Sequence, residues 1–208
     1  MNNKAELIYV HDPMCSWCWG YAPTWSKLKS LLNDDVNIVY KVGGLAPDSD
    51  SPMPLQMQTM LQNTWRNIES KLGTEFNFDF WRLCKPKRST YPSCRAAIIA
   101  RDANKESVMV AAIQQAYYLE AKNPSDEDVL CQLAQQVDLC TAEEFKLQLN
   151  SVLVNDKLLS ELDYIRSLPI QGFPSLVLKY NNRLHPIAIN YTDADTTYSQ
   201  INKVLESL

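Results

Sequence analysis

The order of local signals near the N-terminal end constrains the fold most. Glu6-Leu7-Ile8-Tyr9-Val10 is a short, continuous apolar run rich in β-formers, and His11-Asp12-Pro13 ends it. Cys15-Ser16-Trp17-Cys18 comes next. From Ser16 to about Leu32 the pattern is helical, with Trp25, Leu28 and Leu32 on one face and Asn33-Asp34-Asp35 as a stop. Val36 to Val42 alternates apolar and polar residues, as a half-buried strand does, and runs into Gly43-Gly44. Strand, helix, strand in this order predicts a crossover joining two parallel strands of one sheet. The Cys-x-x-Cys lies where the first strand gives way to the helix.

Beyond residue 50 the pattern changes. From Pro54 to about Asn155 the signals are helical, with no convincing strand. Met57, Met60, Leu61, Trp65, Ile68 and Leu72 form one stripe; Val108, Ala111, Ala112, Gln115 and Leu119 form another, ended by Asn123-Pro124. Ser125-Asp126-Glu127-Asp128 reads as a helix start with acids in its first turn, and Thr141-Ala142-Glu143-Glu144 as a capping box. Mixed structure then returns. A helix through Leu158, Leu162 and Ile165 stops at Leu168-Pro169, Gln171-Gly172-Phe173-Pro174 is a turn, and Ser175 to Tyr180 is a strand. Asn181-Asn182 is a hairpin signal, and Pro186 marks the return strand as an edge. Thr192 or Asp193 caps a last helix that carries Tyr198, Ile201, Val204 and Leu208. The expected organisation is an α/β domain from residues 1–50 and 156–208, with a helical insertion at 51–155.

With 208 residues, 46% of them hydrophobic and 21% charged, the chain suits one domain carrying an insertion around a packed core. A net charge of −4 argues against nucleic acid or an anionic membrane as partner. The apolar run Leu7 to Val10 is too short for a secretory signal, and no stretch has the length of a membrane span, so the expected location is the reducing cytoplasm. Of the six cysteines, Cys84, Cys94, Cys131 and Cys140 show no tight pairing and read mainly as buried or partly buried thiols. Cys84 and Cys94 flank a basic, proline-containing loop, where reactivity is the lesser reading.

Cys15 and Cys18 allow three readings: a redox couple, part of a metal site, or two inert buried thiols. A structural zinc site usually pairs one Cys-x-x-Cys with another, and none is present; His11 and a distant cysteine would have to complete it, so no metal is expected. The turn residues around the pair argue against burial of both sulfurs. As a couple, Cys15 falls at the first turn of the helix, where unpaired N–H groups and the macrodipole favour a thiolate. In such motifs the first thiol drops from about 8.5 into the range ~3.5–7.5 and becomes the nucleophile. Cys18, one turn deeper, is the resolving thiol that attacks the mixed disulfide. His11 and Asp12 are candidates for tuning the pair. Asp12, at the strand end, is expected to be solvated, and His11 reads slightly better as a satisfied histidine closing the strand.

Strand, Cys-x-x-Cys and helix over Leu7 to Leu32, with Pro23 five residues after Cys18 and Gly172-Phe173-Pro174 before a late strand, resemble the thioredoxin superfamily. The helical insertion makes the likeness that of the DsbA-like family of thiol-disulfide oxidoreductases. Within it, DPMCSWCWG, Gly43-Gly44-Leu45 and the segment TYPSCRAA at Thr90 to Ala97 look like a cytoplasmic protein-disulfide isomerase branch. The resemblance implies a thioredoxin-like fold and a cis-Pro174 facing the cysteines. It also implies a substrate-binding edge at Phe173 and Pro174, flanked by Trp17. Tyr9 stands where thioredoxins place a buried acid, which removes the usual proton relay. Ser16-Trp17 lacks the histidine of the strongly oxidising members, so a less oxidising couple is expected.

The expected activity is thiol-disulfide exchange on protein or small-molecule disulfides and thiols, with no bound cofactor and with glutathione or a dithiol as reductant. Kappa-class glutathione transferases and 2-hydroxychromene-2-carboxylate isomerases share the helical-insertion plan but typically carry serine where Cys15 stands. A chaperone-like binding module, using Trp17, Trp19, Met53, Met57 and Met60 as apolar surface, is the non-enzymatic alternative, although that stripe reads first as core.

Overall fold

The computed structural model describes residues 5–32 and 36–207. The expected stop at Asn33-Asp34-Asp35 and the place of Leu208 lie outside the described residues. A four-stranded sheet has the order β2-β1-β3-β4, where β1 is Ala5–His11, β2 Val36–Val42, β3 Ser175–Tyr180 and β4 Arg183–Ile187. Helix α1 (Ser16–Leu31) connects β1 to β2, which pair in parallel, as the strand-helix-strand order requires. The other two pairings are antiparallel. Asn181 and Asn182 both take positive φ, 48° and 58°, as a tight hairpin between β3 and β4 demands. Pro186 sits on β4, an edge strand where its missing N–H costs no inner ladder bond.

Seven helices occupy the chain between β2 and β3: α2 (Leu55–Leu72), α3 (Phe80–Leu83), α4 (Tyr91–Asp102), α5 (Glu106–Tyr118), α6 (Glu127–Gln136), α7 (Ala142–Leu149) and α8 (Val152–Arg166). Helix α9 (Ala194–Glu206) ends the described chain. Both faces of the sheet are covered, which explains why β1 reads as a continuous apolar run. Leu7 and Tyr9 pack with Tyr21, Trp25 and Leu28 of α1 and Ile201 of α9. Ile8 and Val10 point the other way, to Ala97 and Ile98 of α4 and to Leu158 and Leu162 of α8. Helix α4 is buried on two sides. Its Ala96, Ile99 and Ala100 join Met109, Ile113, Leu130 and Phe145 in a separate helical core, and the small alanines let that core approach the sheet layer closely. A fourth, aromatic cluster gathers Met14, Trp65, Phe76, Phe80, Tyr117 and Tyr118 beside the start of α1.

The caps follow the sequence where they are local. Thr141 forms the full capping box with Glu144, and Asp193 caps α9 by accepting from Asp195 N–H. Other expectations are corrected. Helix α5 ends at Tyr118, well short of Asn123-Pro124, and Ala121 turns to φ 51° in the connection. Its buried face is also rotated: Met109, Ile113, Tyr117 and Tyr118 are buried, whereas Val108, Ala111 and Gln115 are exposed. Two stripes compete on this helix, and the one with the larger side chains buries more apolar area. Asp126 precedes α6 without a side-chain cap bond, its carboxylate being 3.0 Å from Lys87 Nζ. On α2 only Trp65 and Ile68 are buried, and Met60 is 53% exposed.

Candidate active site

The sheet register brings the site together. In the parallel ladder His11 lies opposite Val42, so the chain leaving β2, Gly43-Gly44-Leu45, emerges beside Asp12 to Cys15. In the antiparallel ladder Val10 lies opposite Ser175, so Phe173 and Pro174 enter the sheet beside the same end of β1. Gly43 N–H donates to His11 C=O at 2.6 Å, and Ser175 Oγ closes the incoming turn on Gly172 C=O at 2.7 Å. The Phe173–Pro174 peptide is cis. A Cβ on Gly43 would meet the Phe173 ring at 2.5 Å, so the aromatic ring lies where only glycine leaves room.

Cys15 is the N-cap residue of α1, with extended backbone, and Cys18 lies in the helix proper. Both thiols are unbonded. Cys15 Sγ donates to Phe173 C=O at 3.4 Å, which ties the first cysteine to the proline loop. The sulfur also sits at the positive end of the α1 dipole. Burial of both sulfurs corrects the sequence expectation: Cys15 is 7% exposed and Cys18 1%. The Phe173 loop on one side and the cluster containing Met14 and Tyr118 on the other close over the turn. Cys15 is still the outer of the two. Burial pushes the Cys18 thiol well above its ordinary value, and the neighbouring Cys15 pushes it further. Pro23 lies inside α1, where it removes one backbone donor from the helix.

Asp12 is the larger correction. It is not solvated but 0% exposed. Its Oδ1 accepts Met14 N–H at 2.8 Å, and its Oδ2 accepts Leu45 N–H and the Thr90 hydroxyl, both at 2.8 Å, with the Cys94 thiol at 3.5 Å. Thr90 in turn accepts Ala46 N–H at 3.1 Å. One carboxylate thus fastens together the active-site turn, the Gly43-Gly44-Leu45 loop and the start of α4. Three separate segments of the chain meet on it. Cys94 is thereby a buried thiol held beside Asp12, and Cys84, half-buried, donates to Ala121 C=O at 2.8 Å.

His11 is also fully enclosed, at 2% exposure, and its ring stacks on Tyr9 with centroids 5.1 Å apart. It is not a satisfied histidine: Nε2 has no hydrogen-bond partner and lies 3.6 Å from Glu106 Oε1. Glu106 was not a candidate from sequence, because a lone acid at the start of a helix reads as a first-turn charge in solvent. Trp17 is half-buried and meets the Tyr191 ring edge-on at 5.2 Å, and Trp19 stacks on Tyr118. Beside Phe173, a groove of about 470 Å³ runs between Gly43 to Leu45, Leu162, Arg166 and Gly172.

A four-stranded sheet sandwiched by helices, with a Cys-x-x-Cys capping the first helix against a proline loop, defines the chain as a thioredoxin-like protein with a helical insertion. A family model described as the DSBA-like thioredoxin domain matches residues 6–197. The chain belongs to that family. Among solved structures, a candidate protein disulfide isomerase from Nitrosomonas europaea superimposes with TM-score 0.85 at 23% identity, covering 98% of each chain. The cytosolic disulfide reductase DsbM from Pseudomonas aeruginosa gives TM-score 0.76 at 20% identity, over 98% of this chain and all of that one (100%). At these identities the likeness is one of fold. The ClpXP adapter protein SpxH of Bacillus subtilis is 24% identical over 176 residues, 82% of this chain and 57% of the relative. The chain therefore spans little more than half the length of the curated relatives it matches. No helix among the described residues is long and apolar enough to cross a membrane.

Proposed function

We propose that the chain is a thiol-disulfide oxidoreductase of protein-disulfide isomerase type, acting through Cys15 and Cys18 in a reducing cytoplasm. The observation that carries this is the placement of Cys15, an N-cap thiol aimed at the Phe173 carbonyl, with Cys18 buried one turn behind it. Cys15, as thiolate, attacks one sulfur of a substrate disulfide and the other sulfur leaves as a thiolate. Cys18 then attacks the Cys15 sulfur, the mixed disulfide breaks, and the substrate leaves with two more electrons than it brought. Where another substrate thiol attacks the mixed disulfide before Cys18 does, the net result is isomerisation. A reductant such as glutathione or a dithiol returns the Cys15–Cys18 disulfide to the starting state, and a reducing compartment makes reduction and isomerisation the working directions.

Phe173 and Pro174 form the substrate edge of this reading, Trp17 flanks it, and the groove that starts at Phe173 gives the rest of an extended disulfide-bearing peptide a surface to lie on. Asp12 holds the two loops that frame the nucleophile. The test is reduction of insulin disulfides by the intact chain and by Cys15→Ser. Loss of at least 100-fold in rate is expected, and full activity in the variant refutes the reading. The adapter name of the curated relatives favours one further reading, a binding role that does not need the cysteines. A Cys15→Ser/Cys18→Ser double variant that still suppresses aggregation of an unfolded client supports it.

A further inference from the structure

The resolving thiol poses a problem that the Cys-x-x-Cys itself does not solve. Cys18 is enclosed and its proton is strongly held, yet it must attack as a thiolate. Tyr9 supplies no carboxylate beneath it. What lies beneath it is a cavity of about 180 Å³ lined by Cys18, Tyr9, His11, Tyr40 and Glu106. Its volume holds several water molecules, and its polar partners suit them.

The ionisable groups around this cavity come from every element that packs on it. Strand β1 contributes Tyr9 and His11, α1 contributes Cys18 and, at the rim, Lys29, β2 contributes Tyr40, and α5 contributes Glu106. Behind Glu106, Arg101 of α4 donates to both of its carboxylate oxygens, Nε to Oε2 at 2.6 Å and one terminal nitrogen to Oε1 at 2.7 Å. Arg101 also contacts Glu161 of α8, which accepts from Lys41 and from Val42 N–H on β2. Burial pushes Glu106 up, but the two hydrogen bonds from the Arg101 guanidinium, with the His11 ring close by, outweigh it and hold the carboxyl below its usual range. A carboxylate gripped in this way is a poor base and a good counter-ion. The imidazole beside it has an unpartnered Nε2, and an imidazole is the side chain suited to exchanging a proton near neutral pH.

We propose that His11 and Glu106 form the proton relay for Cys18, replacing the acid that Tyr9 displaces. This rests on the redox reading of Cys15 and Cys18. In the resolving step the Cys18 Sγ proton passes through the cavity to His11 Nε2, and the imidazolium is stabilised by Glu106. Cys18 Sγ then bonds to Cys15 Sγ, the bond from Cys15 to the substrate sulfur breaks, and the substrate departs as a thiolate. The proton on His11 returns through the cavity to solvent or to that thiolate. His11 and Glu106 touch no substrate, so they are positioning and relay groups. Glu106 reaches the site from the helical insertion, which makes the insertion part of the chemistry of the pair.

The test mixes the reduced intact chain with excess symmetrical aromatic disulfide, quenches with acid at intervals and follows the Cys15 adduct and the Cys15–Cys18 disulfide by mass. Adduct formation reports attack by Cys15, and its decay reports resolution by Cys18. With a relay, wild-type resolution at pH 7 stays within about threefold of its value at pH 8.5. Without one, thiol ionisation alone makes it fall about tenfold per pH unit, about 30-fold over that range. His11→Phe keeps a ring to stack on Tyr9 and removes Nε2. It is expected to restore the steep profile and to slow resolution at pH 7 by at least 10-fold, so that the Cys15 adduct accumulates. Glu106→Gln is expected to act in the same direction. A steep wild-type profile overturns the relay whatever the stability of the variants, as does an unchanged profile in folded His11→Phe. Failure to form any adduct at Cys15 overturns the redox reading and the relay with it.

Discussion

Replacing Asp12 by asparagine tests whether one buried carboxylate holds the frame of the site. The side chain keeps its size, and only the second oxygen becomes an NH2 group. In the native arrangement Oδ1 takes Met14 N–H, while Oδ2 takes Leu45 N–H and the Thr90 hydroxyl, all at 2.8 Å. With the amide nitrogen on the Leu45 side, the Thr90 hydroxyl can turn toward Ala46 C=O, 3.4 Å away, and accept from the amide. The Leu45 N–H cannot turn, and it faces another donor. With the amide reversed, Met14 N–H is stranded instead. Either way one backbone donor, buried at Met14 or part-buried at Leu45, loses its partner, at about 1–3 kcal/mol, and the surviving bonds lose their charge assistance, roughly half their strength. The sum is about 3 kcal/mol. For a chain of this length each kcal/mol moves Tm by about 2–4 °C, so a drop of about 6–12 °C is expected. Thermal unfolding of the reduced proteins by circular dichroism, at one pH, measures it. A Tm within about 2 °C of wild type would refute the account of Asp12 as an indispensable acceptor.

Two further outcomes follow from the same geometry. The reduction potential of the Cys15–Cys18 couple, measured against glutathione buffers, is expected well below about −120 mV, the strong-oxidant end of the scale, and a value near it contradicts the reducing direction assigned here. Stability should also depend on pH at both ends. The Cys18 and Cys94 thiols, both raised first by burial, hold their protons in the fold at pH values where the unfolded chain has begun to lose them. Their contribution is complete below the unfolded value of about 8.5 and is lost as pH rises through the folded value. Glu106, lowered, contributes above its unfolded value of about 4.3, and that contribution is lost as pH falls through the folded value. Urea midpoints against pH check both: Cys18→Ser should flatten the alkaline fall and Glu106→Gln the acid one, and unchanged slopes count against the assignments.

Much of the fold was legible because its signals are local. A two-residue Asn181-Asn182 turn, the Thr141 to Glu144 capping box, the proline of an edge strand and the change of period from β1 to α1 each depend on hydrogen bonds within a few residues. The position of Cys15 at the start of a helix belongs to the same class, and so does the expectation that Cys18 lies deeper. Where two local patterns compete, local information fails. On α5 the stripe through Val108 and the stripe through Met109 have the same period, and only the neighbouring core decides which one is buried.

The sequence by itself determined the chemistry available: two thiols one turn apart, between a buried strand and a helix, with a proline turn downstream. The tertiary structure alone decided what surrounds them. Asp12 reads as a solvated strand end until Leu45, Thr90 and Cys94 are brought onto it by the sheet register and by α4. Glu106 reads as a surface charge until α5 lays it against His11 under Cys18. Hydrogen bonds between neighbours in the chain leave a mark in the local pattern. The partners of a buried charge are chosen by packing between segments far apart in sequence, and no short stretch carries that information.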